Sequence, residues 1–213
     1  LLVLILFLKV NEVEKLSCHK RNNVDKEKIV DFEGVNVAAK ENVAIVSMSP
    51  PHGKKKSLSE RVVTAFKTEL PAVGDSTTST MTSLRILGMQ QDQFFLLFDY
   101  KGANAVEEIS KKLGDTAYLT DQSDSWVAIS VSGTKASTTL QQISPVDLHP
   151  SVFGNGAVAR TTIENLGTII VCEGADKFLL FSPRSSAESF IYGLETSIRN
   201  CHSTDKIRYP KYR

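Results

Sequence analysis

The stretch FFLLFDY at residues 94–100 is a continuous run of mostly apolar residues with the length of one β-strand. A strand that is apolar at successive positions is buried on both faces, whereas a half-exposed strand alternates apolar and polar residues. The run therefore predicts the centre of a sheet that is covered on each side.

A well-defined helix follows this strand, in the sequence NAVEEISKKLG at residues 104–114. Asn104 and Glu107 have the spacing of a capping box, and Gly114 is typical of a helix end. The stretch WVAISV at residues 126–131 predicts the next strand. Strand, helix and strand in this order predict a βαβ unit with a right-handed crossover.

The segments outside this unit add further strands and turns. Two β-rich runs at residues 35–39 and 43–46 predict a hairpin, RVVTAF at residues 61–66 predicts a strand, and residues 84–87 predict a short helix. In the last third, residues 169–172 and 178–181 flank a polar turn and predict a second hairpin. Ser185 and Glu188 then open a final helix. Together these elements predict an α+β fold.

The composition is that of an ordinary globular protein. The chain has 213 residues, of which 41% are hydrophobic and 23% charged, and its formal net charge is +1. This length predicts one domain with an extension, or two small domains. A nearly neutral chain has no overall field that would attract nucleic acid or a membrane surface.

The first eight residues, LLVLILFL, are entirely apolar. They are too few for the ~20 residues of a membrane-spanning helix. They fit the apolar core of a secretory signal, which needs ~7–15 residues. A buried edge strand is the alternative, because Val, Ile and Phe favour strands.

Three cysteines, Cys18, Cys172 and Cys201, leave the redox state open. A disulfide between Cys18 and Cys201 suits an exported protein, and it leaves Cys172 free in an apolar strand. Three reduced thiols in a cytosolic protein are the alternative, and an odd count does not decide between them.

The middle of the chain resembles the ILEI-type domain, also called the GG domain. The resemblance rests on GVNVA at residues 34–38, VVTAF at 62–66, the run at 94–100, the helix that ends at Gly114, and SDSWVAI at 123–129. This domain occurs in a family of secreted cytokine-like proteins and in the stem of protein O-mannose N-acetylglucosaminyltransferase. The resemblance covers about half the chain, from residue 32 to residue 135.

The resemblance implies a compact β-sandwich-like domain with helices that binds rather than catalyses. It also implies a disulfide between Cys18 and Cys201, since family members link the segments before and after the domain. The family's sugar site has an Arg just before its Asp-x-Trp element, where this chain has Ser123. A serine lacks the planar charged donors of an arginine, so this departure weakens the expectation of sugar binding.

Two further patterns have simpler explanations than a functional site. GNGAVA at residues 154–159 matches the dinucleotide-binding fingerprint G-x-G-x-x-A, but no full strand precedes it and β-favouring residues follow, so it predicts a turn. Cys18, His19, Cys201 and His202 could form a zinc site only if the two ends met, and their adjacent spacing is unlike that of structural zinc sites. We predict no metal, no cofactor and no catalytic residues. Trp126, the single tryptophan, begins a buried strand and is expected to pack in the core rather than stack on a ligand.

We therefore predict a secreted or lumenal α+β protein with three parts. These are a signal or anchor remnant and linker at residues 1–31, a compact β-sandwich-like ILEI-type domain with flanking helices at 32–138, and a C-terminal β-hairpin and helix at 139–213.

The predicted function is that of a non-catalytic binding module, cytokine-like or lectin-like, whose partner is a protein receptor or a glycan. No nucleic acid is expected, and a membrane only through an N-terminal anchor. The predicted ligand-binding residues are Asp99, Lys101, Asp124 and Trp126. The alternatives are a nucleotide- or glycan-acting α/β enzyme or accessory subunit, and a structural subunit of a larger assembly.

Overall fold

The computed structural model describes residues 28–32, 34–102 and 104–204. Within these ranges the chain forms two antiparallel sheets and four α-helices. The predicted α+β class is therefore confirmed. Leu1–Leu8 and Cys18 lie outside the described residues, and the side chain of Cys201 does as well.

Sheet 1 has five strands and sheet 2 has six. Sheet 1 comprises β3 (Val43–Ser49), β4 (Ser76–Thr78), β5 (Arg85–Gln90), β6 (Gln93–Asp99) and β7 (Tyr118–Asp121), in the spatial order β4-β5-β6-β3-β7. Sheet 2 comprises β1 (Lys28–Phe32), β2 (Val35–Ala39), β8 (Trp126–Ser132), β9 (Val158–Ile163), β10 (Leu166–Gly174) and β11 (Lys177–Pro183), in the spatial order β1-β2-β8-β11-β10-β9.

The two sheets face each other, and a pair of helices covers the outer face of each. Helices α1 (Lys55–Phe66) and α2 (Ala105–Leu113) pack on sheet 1, and α3 (Ala136–Ile143) and α4 (Ala187–Thr204) pack on sheet 2. The apolar layer between the sheets contains residues of both, among them Phe95 and Leu179. The fold is thus a four-layer α/β/β/α arrangement.

Strand β6 is buried on both faces, as its continuous apolar sequence predicts. Phe94 and Leu96 face the helix layer, and Phe95 and Leu97 face the layer between the sheets. All four are at most 8% exposed. A helix layer on one side and a second sheet on the other provide the two coverings.

The fold consists of two similar halves. Each half has the chain order strand, helix, three strands and helix, so that β3-α1-β4-β5-β6-α2 matches β8-α3-β9-β10-β11-α4. The strand orders β4-β5-β6-β3-β7 and β9-β10-β11-β8-β2 also match, which makes β7 and β2 equivalent. The halves meet where Asp75 and Ala157, at equivalent places in their loops, form a β-bridge. The matched order points to an internal duplication.

Several local predictions are correct. The Asn104 side chain accepts a hydrogen bond from the backbone N–H of Glu107 at 3.0 Å, and Gly114 ends α2 with φ of +58°. The predicted hairpin of the last third is formed by β10 and β11, and the predicted final helix is α4. In GNGAVA at residues 154–159, Asn155 and Gly156 form a turn and residues 158–159 begin β9, in agreement with the predicted turn.

Two predicted element types are wrong. Residues 61–66 belong to helix α1 rather than to a strand, because Leu58, Val62 and Phe66 recur at helical spacing and are the buried residues of that helix. Residues 85–90 form strand β5 rather than a helix, since Ile86 faces the helix layer and Leu87 faces the other sheet.

Two predicted strand pairings are also wrong, since both join strands of different sheets. Strand β2 lies in sheet 2 and β3 in sheet 1, so residues 35–46 cross between sheets instead of forming a hairpin. The strand that follows α2 is β7, which returns beside β3, whereas β8 belongs to sheet 2. The helix thus links β6 to β7 with β3 between them, and the predicted βαβ unit with β8 does not exist.

The predicted division at residue 138 falls within helix α3. Strand β8, which precedes this position, pairs with β11, which follows it. The division of the chain into domains stays a prediction. None of the helices in the described ranges has the length and apolarity that a membrane span requires.

Candidate functional site

The four predicted ligand-binding residues lie at two separate places. Asp99 ends β6 and Lys101 follows it, and both side chains are exposed. Asp124 lies in a one-turn 3-10 helix, Ser123–Ser125, and Trp126 begins β8. Within the described residues we observe no hydrogen bond, ion pair or ring contact that joins the first pair to the second.

The turn that contains Asp124 connects the two sheets and is tightly held. The Ser123 hydroxyl accepts a hydrogen bond from the backbone N–H of Ile45 at 3.0 Å, and Gln122 donates its backbone N–H to the Ile45 carbonyl at 2.8 Å. These bonds tie the turn to β3 of sheet 1. The turn therefore fixes the point at which the chain passes from sheet 1 to sheet 2.

Arg184 holds the same turn from the other side. Its guanidinium group donates hydrogen bonds to the carbonyl oxygens of Ser123 at 3.3 Å, Asp124 at 2.9 Å and Trp126 at 2.9 Å. No sequence pattern indicated this role, because the partners are backbone carbonyls about sixty positions away. The sequence has no arginine beside Asp124 of the kind found in the sugar site of the ILEI-type family. Arg184, from a distant part of the chain, lies at this turn instead, and it donates its hydrogen bonds to backbone carbonyls.

Trp126 packs in the layer between the sheets. Its ring meets the ring of Phe95 edge-to-face, with centroids 6.2 Å apart and an interplanar angle of 63°. It lies against the apolar cluster that the two sheets share. The expected core-packing role of Trp126 is confirmed.

A shallow depression of about 400 Å³ lies beside the start of α2. Its lining residues are Tyr100, Asn104, Glu107, Glu108 and Lys111. Lys111 forms an ion pair with Glu107 at 2.7 Å, and the Tyr100 hydroxyl accepts the backbone N–H of Asn104 at 3.0 Å.

The charges in this depression are paired rather than arranged as an acid and a base. The hydrogen bond and charge of Lys111 lower the pKa of Glu107, and Glu107 in turn raises the pKa of Lys111. Both shifts favour the charged forms. A general acid or base needs a pKa that moves towards neutrality, so these shifts are opposite to those of an acid–base pair.

A second charged group links the two sheets. Glu173 of β10 lies 3.6 Å from Arg85 of β5 and 3.2 Å from Lys177 of β11. The side chains of Arg85 and Glu173 are 20% and 13% exposed, respectively. The contact between Arg85 and Glu173 joins a strand of sheet 1 to a strand of sheet 2.

The remaining predicted sites concern cysteine and metal. Cys172 is buried and unpaired in β10, as expected. The predicted disulfide between Cys18 and Cys201 involves side chains outside the described residues and stays a prediction. Within the described ranges, no group of three or more His, Cys, Asp or Glu side chains is placed to hold a metal ion.

The chain is similar in sequence to a subunit of a known enzyme. The sarcosine oxidase subunit gamma of Corynebacterium sp. (strain P-1) is 26% identical over 146 residues, which are 68% of this chain and 70% of that protein. This chain is similar to a sarcosine oxidase gamma subunit. No protein-family model matches the sequence.

Solved structures share the fold. A chain of the heterotetrameric sarcosine oxidase from Corynebacterium sp. U-96, in complex with pyrrole 2-carboxylate, superposes with a TM-score of 0.69 and 19% identity, over 81% of this chain and 88% of that one. The glycine cleavage system aminomethyltransferase T from Bartonella henselae superposes with a TM-score of 0.57 and 15% identity, over 76% of this chain. The match spans 45% of the aminomethyltransferase, so this chain corresponds to less than half of that enzyme.

These findings overturn the resemblance to an ILEI-type domain. The sequence similarity found is to a sarcosine oxidase gamma subunit. The pieces that suggested the resemblance are also dispersed in the fold, because residues 35–38 lie in sheet 2, residues 62–66 in a helix and residues 94–99 in sheet 1. Short strand and helix patterns of this kind occur in many α+β folds, which explains the wrong assignment.

Three predictions that accompanied the resemblance, on location, ligand and partner, are wrong as well. A secreted or lumenal location, a carbohydrate-binding role and a receptor or glycan as partner do not agree with similarity to a subunit of a heterotetrameric oxidase. The accessory subunit and the subunit of a larger assembly, which the sequence left as alternatives, agree with it better.

Proposed function

We infer that this chain is an accessory, non-catalytic subunit of a heteromeric oxidase related to sarcosine oxidase. The extent of the match carries this proposal: the fold agrees over 81% of this chain and 88% of a chain of the heterotetrameric enzyme. The sequence similarity to a subunit named gamma covers 68% of this chain and supports the same role.

The chemistry of the described polar groups is consistent with an accessory role. Arg184 donates to three backbone carbonyls, and Glu107 and Lys111 neutralise each other on the surface of α2. Glu173 bridges the two sheets. These groups stabilise the fold, and a partner subunit would supply the oxidation chemistry.

The proposal is tested on the native protein. We expect the chain, whose mass is 23.4 kDa, to elute from a size-exclusion column of cell extract at a much larger mass, in the fractions with sarcosine-dependent oxygen consumption. Depletion of the extract with an antibody against the chain should remove that activity, whereas a non-immune antibody should leave it.

Two results would contradict this function. Elution of the chain at its own mass would show that it is not part of an assembly. Oxygen consumption that survives complete depletion of the chain would show that the oxidase does not contain it.

A further inference from the structure

Within the described residues, sheet 2 has a strand, β1, at an edge where sheet 1 has none. In sheet 2, β1 pairs antiparallel with the outer side of β2, with Phe32 opposite Val35 and Val30 opposite Val37. In sheet 1 the equivalent of β2 is β7, and within the described residues no strand lies outside it. The internal duplication therefore provides a comparison between an edge that is paired with a strand and an equivalent edge at which the described residues place none.

Side-chain burial differs between the two edges in the way that a missing strand predicts. Leu119 of β7 lies opposite Met48 of β3, and Val37 of β2 lies opposite Val131 of β8, so Leu119 and Val37 are equivalent. Val37 is 1% exposed, whereas Leu119 is only partly buried. Leu119 packs on the helix-side core of sheet 1, and a neighbouring strand would complete its cover.

The backbone of β7 is available for pairing. Gln122 donates its N–H towards β3, to the carbonyl of Ile45. Because backbone groups alternate in direction along an antiparallel strand, the N–H groups of Leu119 and Asp121 point away from β3, to the outer side.

Strand β7 lacks several of the features that protect exposed edges, although it is only four residues long and ends in a charged residue, Asp121. Its sequence, YLTD, contains neither Lys nor Pro, and its pairing with β3 is regular over four residues. Such features normally keep an edge strand from pairing with another chain. The ring of Tyr118 is 68% exposed at this edge, and aromatic residues are enriched in protein interfaces.

We propose that β7 pairs with an antiparallel strand from a partner subunit, which becomes the sixth strand of sheet 1. This proposal rests on the function inferred above. The partner strand matches β1 in length, about five residues, and it covers Leu119. Main-chain hydrogen bonds to an open sheet edge are a general mode of recognition between polypeptides.

The charge of the edge favours a different chain over a second copy of this one. Asp115 precedes β7 and Asp121 ends it. A second copy of β7 offers no cation to pair with these carboxylates, since YLTD contains neither Lys nor Arg, whereas opposite charges on neighbouring strands stabilise their pairing. We expect a Lys or Arg in the partner strand.

Hydrogen exchange on the purified native complex tests the proposal directly. We expect the backbone amides of Leu119 and Asp121 to exchange ~100-fold more slowly in the complex than in the isolated chain, because a sheet amide exchanges only when the sheet opens locally. The amide of Gly167, in β10 of the other sheet, is the internal reference.

The outcome of the exchange experiment shows which polypeptide segment, if any, pairs with β7. Protection already present in the isolated monomer would overturn the proposal in favour of another segment of this chain, and protection that rises with the concentration of the isolated chain would overturn it in favour of a second copy. Unprotected amides in a complex that contains the chain and oxidises sarcosine would overturn the docking site alone and leave the proposed function standing.

A pair of variants at position 121 distinguishes the contribution of the backbone N–H to binding from that of the side chain. Asp121→Pro and Asp121→Ala both remove the carboxylate, which accepts the backbone N–H of Ser123 at 2.9 Å, but only proline also removes the outward N–H. We expect Asp121→Pro to raise the dissociation constant of the complex about tenfold relative to Asp121→Ala, since one ladder hydrogen bond is lost. Equal dissociation constants for the two variants, at equal thermal stability of the isolated chains, would overturn the proposal.

Discussion

Gly88 is the position at which a single methyl group should disturb the junction between the two halves. It lies in β5, its N–H donates to the Asp75 carbonyl at 2.9 Å, and its carbonyl accepts the N–H of Gly74 at 3.0 Å. A Cβ atom built on Gly88 would lie 2.0 Å from the carbonyl oxygen of Ala72 and 2.8 Å from its carbonyl carbon. Ordinary contacts of a Cβ begin at 3.4 Å, so the backbone must move by more than an ångström.

We expect Gly88→Ala to lower the free energy of unfolding by about 3 kcal/mol, the upper part of the usual range for overpacking, because the clash is with backbone and not with a flexible side chain. The φ angle of Gly88 is not in the left-handed region, so steric contact is the whole cause. Position 172 is equivalent in the other half and holds a cysteine, whose backbone makes the matching bonds to Gly156 and Ala157.

Urea unfolding of the isolated chain measures this effect, with Gly167→Ala as the matched control. Gly167 lies in β10, has no atom within 4 Å of a built Cβ, and has no left-handed φ. An alanine there should leave stability unchanged or raise it by about 0.5 kcal/mol, because it restricts the unfolded chain. A Gly88→Ala protein within 1 kcal/mol of the wild type would refute the steric reasoning.

Three further predictions concern the cap of α2, the ion pair between Glu107 and Lys111, and the turn to which Arg184 donates hydrogen bonds. Asn104→Ala removes the side-chain cap of α2 and should cost about 1 kcal/mol in urea unfolding, and an unchanged midpoint would contradict the role of the cap. Lys111→Met should return the lowered pKa of Glu107 to its ordinary range in an NMR titration, and any stability that this carboxylate adds should be lost as the pH falls through its pKa, since the folded state favours the charged form. Arg184→Lys should destabilise the chain by about 1–2 kcal/mol, because an ammonium group cannot reach the three carbonyls at once, and full stability of this variant would show that the guanidinium bonds contribute nothing.

Elements that depend on residues close together in the sequence could be predicted from the sequence. The cap at Asn104, the end at Gly114 and the hairpin of β10 and β11 depend on neighbours a few positions away, so the sequence carries the information directly. Helix α1 could also have been found, because Leu58, Val62 and Phe66 recur every four residues. The β-branched residues 62–64 favour a strand, and the strand prediction rests on this propensity. Packing commonly overrides intrinsic propensity, as it does in this helix.

The pairing of the strands, and the hydrogen bonds from Arg184 to the turn that contains Asp124, could not be predicted in the same way. A strand that is apolar on both faces requires two coverings, but its sequence does not say whether a helix or a second sheet provides them. The bonds from Arg184 end on backbone carbonyls, which every residue has, so no residue type at the turn indicates the partner. The ligand-binding role of Asp99, Lys101, Asp124 and Trp126 stays a prediction.

The internal duplication is hidden in the sequence by a one-residue offset. The tetrapeptide FLLF occurs in β6 at residues 95–98 and in β11 at residues 178–181. Phe95 faces the layer between the sheets, whereas Phe178 faces the helices. Matching the identical letters would therefore place equivalent side chains on opposite faces of the sheet.

Burial gives the correct alignment instead. Phe94 corresponds to Phe178, because both face the helix layer, and Phe95 corresponds to Leu179, because both face the other sheet. With this match the two strands coincide over their seven residues, Gln93–Asp99 and Lys177–Pro183. The two halves thus share a pattern of buried faces rather than a pattern of letters, since each strand is restrained by a helix layer on one side and a sheet on the other. The helix-side positions of β7 and β2 correspond in the same way, and the partly buried Leu119 differs from the buried Val37 at the edge of sheet 1 where the described residues add no further strand.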